Sequence, residues 1–114
     1  MKSSTWEGRY EWINNKKAEG NKEYKRKNLN KALNEYINGL LAIEYDNSSQ
    51  HTDKLNGTLR LDLINNVIAT LIELEHYNPA VIFASTGLSL YPNNLKMLMR
   101  RGKSYLRLLK YEEA

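Results

Sequence analysis

The sequence predicts an all-α protein built of antiparallel helix pairs, and three observations predict it. Apolar residues recur at helical spacing along most of the chain, as in Leu63, Ile64, Val67, Ile68, Leu71, Ile72 and Leu74. No run alternates at period two for long enough to make a strand. The helical segments are separated by breakers, of which Tyr91-Pro92-Asn93-Asn94 is the clearest.

The elements follow in order. Ala18, Tyr24, Leu29, Ala32, Leu33, Tyr36, Leu40 and Leu41 fall as apolar stripes on two consecutive helices, with the break near Lys27 and Asn28. The expected spans are Trp6–Lys27 and Lys31–Tyr45. A third helix is expected over Lys54–Leu74. Its opening lies in an extra stretch, Asn47 to Arg60, which reads as a loop running into an early extension of the helix. Tyr77-Asn78-Pro79 starts a fourth helix, to Leu90, with proline suited to the first turn because it has no N–H to leave unsatisfied. A fifth, near Asn94–Leu109, carries Leu95, Leu98, Tyr105, Leu106 and Leu109.

At 114 residues, with 41% hydrophobic and 26% charged residues, the chain has the composition of one globular domain. Cysteine is absent, which excludes a disulfide framework and a thiolate metal site and fits a reducing compartment. The N-terminus, MKSSTWEGRYEW, lacks the apolar core of a signal peptide. The uncharged stretch His76–Leu95 carries Pro79, Pro92 and three asparagines, which argues against a membrane helix. The expectation is a cytoplasmic protein that does not enter a membrane.

The net charge of +4 is unevenly placed. Between Lys16 and Lys31 seven Lys/Arg stand against two Glu, and between Lys96 and Lys110 six basic residues stand with no acid. The intervening Ala32–Leu95 has two basic residues against seven acidic ones. Two basic segments flank an acidic middle. That pattern suits an anionic partner, or only solvated faces, and lacks the continuous positive track that a nucleic acid requires.

Three segments starting at Ile13, Leu61 and Leu95 align with one another. Their eighth places hold Gly20, Ile68 and Gly102, their seventeenth Leu29, Tyr77 and Tyr111, and their twentieth Ala32, Ala80 and Ala114. Small residues recur where paired helices must approach closely. The last two starts are 34 residues apart. The pattern resembles the tetratricopeptide repeat, a helix–turn–helix of about 34 residues. "Y-x-x-A" at Tyr77–Ala80 and Tyr111–Ala114, and "L-x-x-A" at Leu29–Ala32, carry the turn signature. The expected repeats are 13–46, 61–94 and a partial third, 95–114, joined by the 47–60 loop and helix extension in a single domain, 1–114. Stacked repeats cap their last apolar face. Leu106, Leu109 and Tyr111 are therefore expected to lack cover, to invite self-association or a continuing segment, and to gain stability if the chain is extended.

Within that resemblance, K-x-x-x-N in "KAEGN", N-x-x-A in "NVIA" and K-x-x-x-R in "KMLMR" fill the five places of a two-carboxylate clamp: Lys17, Asn21, Asn66, Lys96 and Arg100. Such clamps, in co-chaperone tetratricopeptide domains, hold the acidic Glu-Glu-Val-Asp tail of heat-shock chaperones of the 90 and 70 families. The resemblance implies that Lys17, Asn21 and Asn66 hold the terminal carboxylate and that Lys96 and Arg100 hold the aspartate side chain. Tyr24, Ala69, Ile72 and Lys103 would form the groove wall, with Ala69 and Ile72 against the valine. Ammonium and guanidinium groups make charge-assisted bonds to carboxylates, and asparagine adds a directional donor without charge. The resemblance leaves open a scaffold for another acidic or C-terminal peptide, and the non-catalytic part of a prolyl-isomerase immunophilin. A basic helical nucleic-acid module is the remaining alternative.

Other chemistry is not expected. His51 and His76 have no third imidazole and no H-x-x-x-H spacing, so no metal is anticipated. No serine–histidine–acid set, paired-carboxylate motif or glycine-rich phosphate loop occurs, so neither an enzyme nor a cofactor is expected in this segment. Trp6 and Trp12 read as packing residues of the first helix.

Overall fold

The computed structural model describes the backbone of residues 6–45 and 57–113. Five helices occupy them: α1 (Trp6–Lys25), α2 (Leu29–Tyr45), α3 (Thr58–Glu73), α4 (Tyr77–Leu90) and α5 (Leu95–Glu113). No strand occurs among the described residues, and the protein is all-α. The extension expected before Leu61 is helical from Thr58, while Lys54–Asn56 and His51 lie outside the described residues. No described helix is long and apolar enough to cross a membrane. The chain divides into two compact units, up to Leu63 and from Ile64 onward, the division falling inside α3.

In the first unit α1 packs along α2. Ile13, Ala32, Tyr36, Leu40, Ile43, Leu59 and Leu63 are buried and form its core. Gly20 lets the two helices close up. A Cβ built there would fall 2.6 Å from Cδ1 and 2.9 Å from Cζ of Tyr36, too near for any real carbon. Around this core Lys16 pairs with Glu35 at 3.4 Å and lies 5.2 Å from the centroid of the Trp12 ring. Arg60 pairs with Glu44.

The first helix ends in a Schellman turn. Asn28 N–H donates to the Glu23 carbonyl at 2.9 Å and Lys27 N–H to that of Tyr24 at 3.0 Å, with Lys27 left-handed at φ 67°. The Asn28 side chain also donates to Glu23 Oε1 at 2.8 Å, and this bond chiefly holds the Glu23 carboxyl below its ordinary pKa. The same turn closes α3. There His76 N–H donates to Leu71 O at 2.8 Å and Glu75 N–H to Ile72 O at 2.9 Å, with Glu75 at φ 62°. Lys27 and Glu75 hold the fifteenth place of their segments, so the chain reverses at the same point twice.

In the second unit α4 packs on α5. Ile64, Val67, Ile68, Leu71, Tyr77, Ala80, Ala84, Leu88 and Met97 are buried. Gly87 permits the approach, since a Cβ there would meet Met97 Sδ at 2.7 Å and Ile64 Cγ2 at 3.0 Å. Pro79 sits in the first turn of α4. Asn94 caps α5 by accepting the Met97 N–H at 3.1 Å on its side-chain oxygen. Thr70 and Ser104, both fully buried, satisfy their hydroxyls by donating to the carbonyls of Asn66 (2.7 Å) and Arg100 (2.8 Å).

The fifth helix departs from expectation. It runs through Leu109 and Tyr111 to Glu113, where a turn opening a further helix was expected. Leu109 holds the place of Lys27 and Glu75 but does not take up their left-handed backbone. A leucine there would lose about 1–2 kcal/mol against the right-handed helix, and no later helix among the described residues offers packing to offset that cost. The outer face of α5 carries Leu95, Leu98, Met99, Tyr105, Leu106 and Leu109, all exposed, on either side of Gly102, which has nothing within 4 Å of where a Cβ would stand. Leu106 and Leu109 are thus uncovered, as expected, while the Tyr111 side chain lies outside the described ones.

Candidate functional site

The sequence-predicted residues divide between the two units. In the first, Lys17, Asn21 and Tyr24 lie at helical spacing on α1 and share one strip of its surface. Tyr24 is half-buried, as a wall residue would be, and Asn21 is exposed. Lys17 Nζ stands 3.1 Å from Asp62 Oδ2, at the start of α3. The lysine thus already holds an aspartate carboxylate of its own chain. Neither partner is deeply buried, so the pair contributes little to stability. It does define a geometry in which the ammonium reaches an aspartate.

Asn21 is fixed from beneath. The Tyr36 hydroxyl donates to Asn21 Oδ1 at 2.6 Å. The Tyr36 ring is almost wholly buried beside Gly20, and burial, with Tyr24 adding to it, pushes the phenol up to about 12. The hydroxyl therefore keeps its proton throughout the neutral range and remains a donor.

In the second unit Lys96, Arg100 and Lys103 recur at the same spacing on α5. Lys96 and Lys103 are exposed and Arg100 is half-buried. Arg100 Nη1 donates at 3.3 Å to both the carbonyl oxygen and Oδ1 of Asn65, a buried asparagine on α3. This pins the guanidinium plane while the group as a whole carries five N–H donors. Asn66, next to Asn65, is half-buried, and Ala69 and Ile72 are half-buried further along α3. The contact between Arg100 and Asn65 brings α5 to the part of α3 that carries Asn66.

Sequence reasoning missed three residues. Tyr36 reads as core, Asp62 as one acid in an acidic middle, and Asn65 as the polar neighbour of a predicted ligand. Only Asn65 carried a signal, since an asparagine pair set between Ile64 and Val67 on an apolar helix must find partners. No cluster of His, Cys, Asp or Glu able to hold a metal ion occurs among the described residues.

No protein-family model matches the chain. Over 115 aligned residues the chain is 31% identical to the Hsp70/Hsp90 co-chaperone CNS1 of Saccharomyces cerevisiae, a match that takes in 100% of this chain and 27% of that protein. The chain therefore spans about a quarter of the length of the curated relative it matches.

Proposed function

We propose that this chain is a non-catalytic, protein-binding co-chaperone module. It would hold the acidic C-terminal tail of an Hsp70- or Hsp90-type chaperone through the clamp-pattern residues Lys17, Asn21, Asn66, Lys96 and Arg100. The observation that carries the reading is the similarity of the whole chain to an Hsp70/Hsp90 co-chaperone, combined with a sequence that fills every place of the clamp pattern. The local geometry supports it. Lys17 lies within bonding distance of an aspartate carboxylate, and Asn21 and Arg100 are both held by neighbours of their own unit.

A peptide ending in aspartate offers two carboxylates within one residue, and paired lysine, arginine and amide donors match that charge. The acidic stretch Ala32–Leu95 disfavours a nucleic acid, which would need positive charge throughout. The test is a calorimetric titration with a peptide ending Glu-Glu-Val-Asp and with its C-terminally amidated twin. Binding of the free acid at micromolar strength, about −8 kcal/mol, is expected, with marked weakening on amidation. Lys96→Ala or Arg100→Ala should each cost about 1.5–3 kcal/mol, and Lys110→Ala should cost little. Equal binding of acid and amide would overturn the reading.

A further inference from the structure

We infer that Tyr36, a residue of the α1–α2 core, is a positioning residue for peptide recognition: its hydroxyl orients the Asn21 amide so that the donor end is the one offered to a carboxylate. The inference rests on the peptide-binding reading above and goes beyond it, because it assigns specificity to a side chain that does not touch the ligand.

The argument begins with the chemistry of the amide. An asparagine side chain has one acceptor end and one donor end, nearly equal in shape, whereas a carboxylate can only accept. An amide free to flip would present its oxygen to the anion in part of its population, and that orientation repels. Tyr36 favours one orientation. Its O–H lies 2.6 Å from Asn21 Oδ1, which engages the oxygen end and turns the NH2 end away from the phenol. The hydroxyl can do this because the ring cannot move: it is 2% exposed and packed against Gly20, where no side chain intervenes. The phenol holds its proton well past neutrality, so it remains a donor across the neutral range in which the peptide's carboxylates are ionised. Gly20, Asn21 and Tyr36 thus form one device. The glycine admits the ring, the ring fixes the hydroxyl, and the hydroxyl fixes the amide.

The experiment measures the affinities of the free-acid and amidated peptides for the intact chain, Tyr36→Phe, Asn21→Ala and the double variant. Tyr36→Phe keeps the ring in its place, and the residue that loses the bond, Asn21, is exposed, so the variant should fold; a thermal melt checks this. The free acid should bind Tyr36→Phe about fivefold more weakly, the effect of one neutral hydrogen bond. The amidated peptide should be unaffected, and the loss should vanish in the Asn21→Ala background. Unchanged affinity of Tyr36→Phe, equal losses for both peptides, or an undiminished loss without Asn21 would each overturn the inference while leaving the peptide site standing. If the intact chain does not distinguish acid from amide, the peptide-binding reading itself fails, and this inference falls with it.

Discussion

The ring of Tyr36 occupies the space that a side chain at Gly20 would need, with Cδ1 2.6 Å from the position of the missing Cβ. Gly20→Ala must therefore displace a buried ring that has nowhere to go. Overpacking of this kind costs about 1–3 kcal/mol, against at most about 1 kcal/mol recovered from the better helix former. Net destabilisation by urea unfolding is expected. Gly102 stands at the same eighth place of its own segment but meets nothing within 4 Å. Gly102→Ala should accordingly stabilise α5, by up to about 1 kcal/mol. A loss at both sites would show that Gly102 is not open.

The two Schellman turns place a lysine and a glutamate where glycine is usual. Lys27 at φ 67° and Glu75 at φ 62° each carry a Cβ in the left-handed region. Lys27→Gly and Glu75→Gly should each raise stability by about 0.5–1 kcal/mol, the relief of strain less the extra freedom of the unfolded chain. Thermal melts of the two single variants and the pair check this, and the two effects should add because the backbone bonds that close each turn lie within its own unit.

On the peptide-binding reading, Asp62 is a competitor for Lys17. Asp62→Asn removes a carboxylate 3.1 Å from the ammonium. Stability should change by less than about 1 kcal/mol, as expected of a partly exposed pair. Affinity for the acidic peptide should rise a few-fold, because Lys17 no longer has to leave an internal anion and the local potential turns more positive. The gain should shrink with added salt. A weaker complex would mean that Asp62 holds Lys17 in a productive position instead of competing for it.

Tyr36 also sets an alkaline limit. Its phenol is raised to about 12 in the folded chain, against an ordinary value near 10, so between these values the folded state keeps a proton that the unfolded state has lost. Stability from this group is complete below about pH 10 and falls as pH rises toward 12. Denaturation midpoints at pH 9 and pH 11 should differ more in the intact chain than in Tyr36→Phe. Equal slopes would show that the phenol is not protected by burial.

The helices and the strips of basic and amide residues were legible in the sequence because they depend on spacing along a single element. A residue three, four or seven places on lies on the same face wherever the helix sits, so Lys17 with Asn21 and Lys96 with Arg100 could be grouped before any fold was known. The breaker at Tyr91–Asn94 and the prolines located the turns for the same local reason. What spacing cannot contain is the identity of the neighbour across an interface. That Tyr36 holds Asn21, that Asp62 meets Lys17 and that Asn65 pins Arg100 follow from how one helix lies against the next, which is decided by close packing at positions such as Gly20 and Gly87. The length of α5 belongs with these. Its sequence carries the same turn place as the first and third helices, but a chain reverses there only when the packing of a returning helix outweighs the backbone strain of the turn. The sequence by itself determined which residues share a face; the tertiary structure decided which of them are held, and by what.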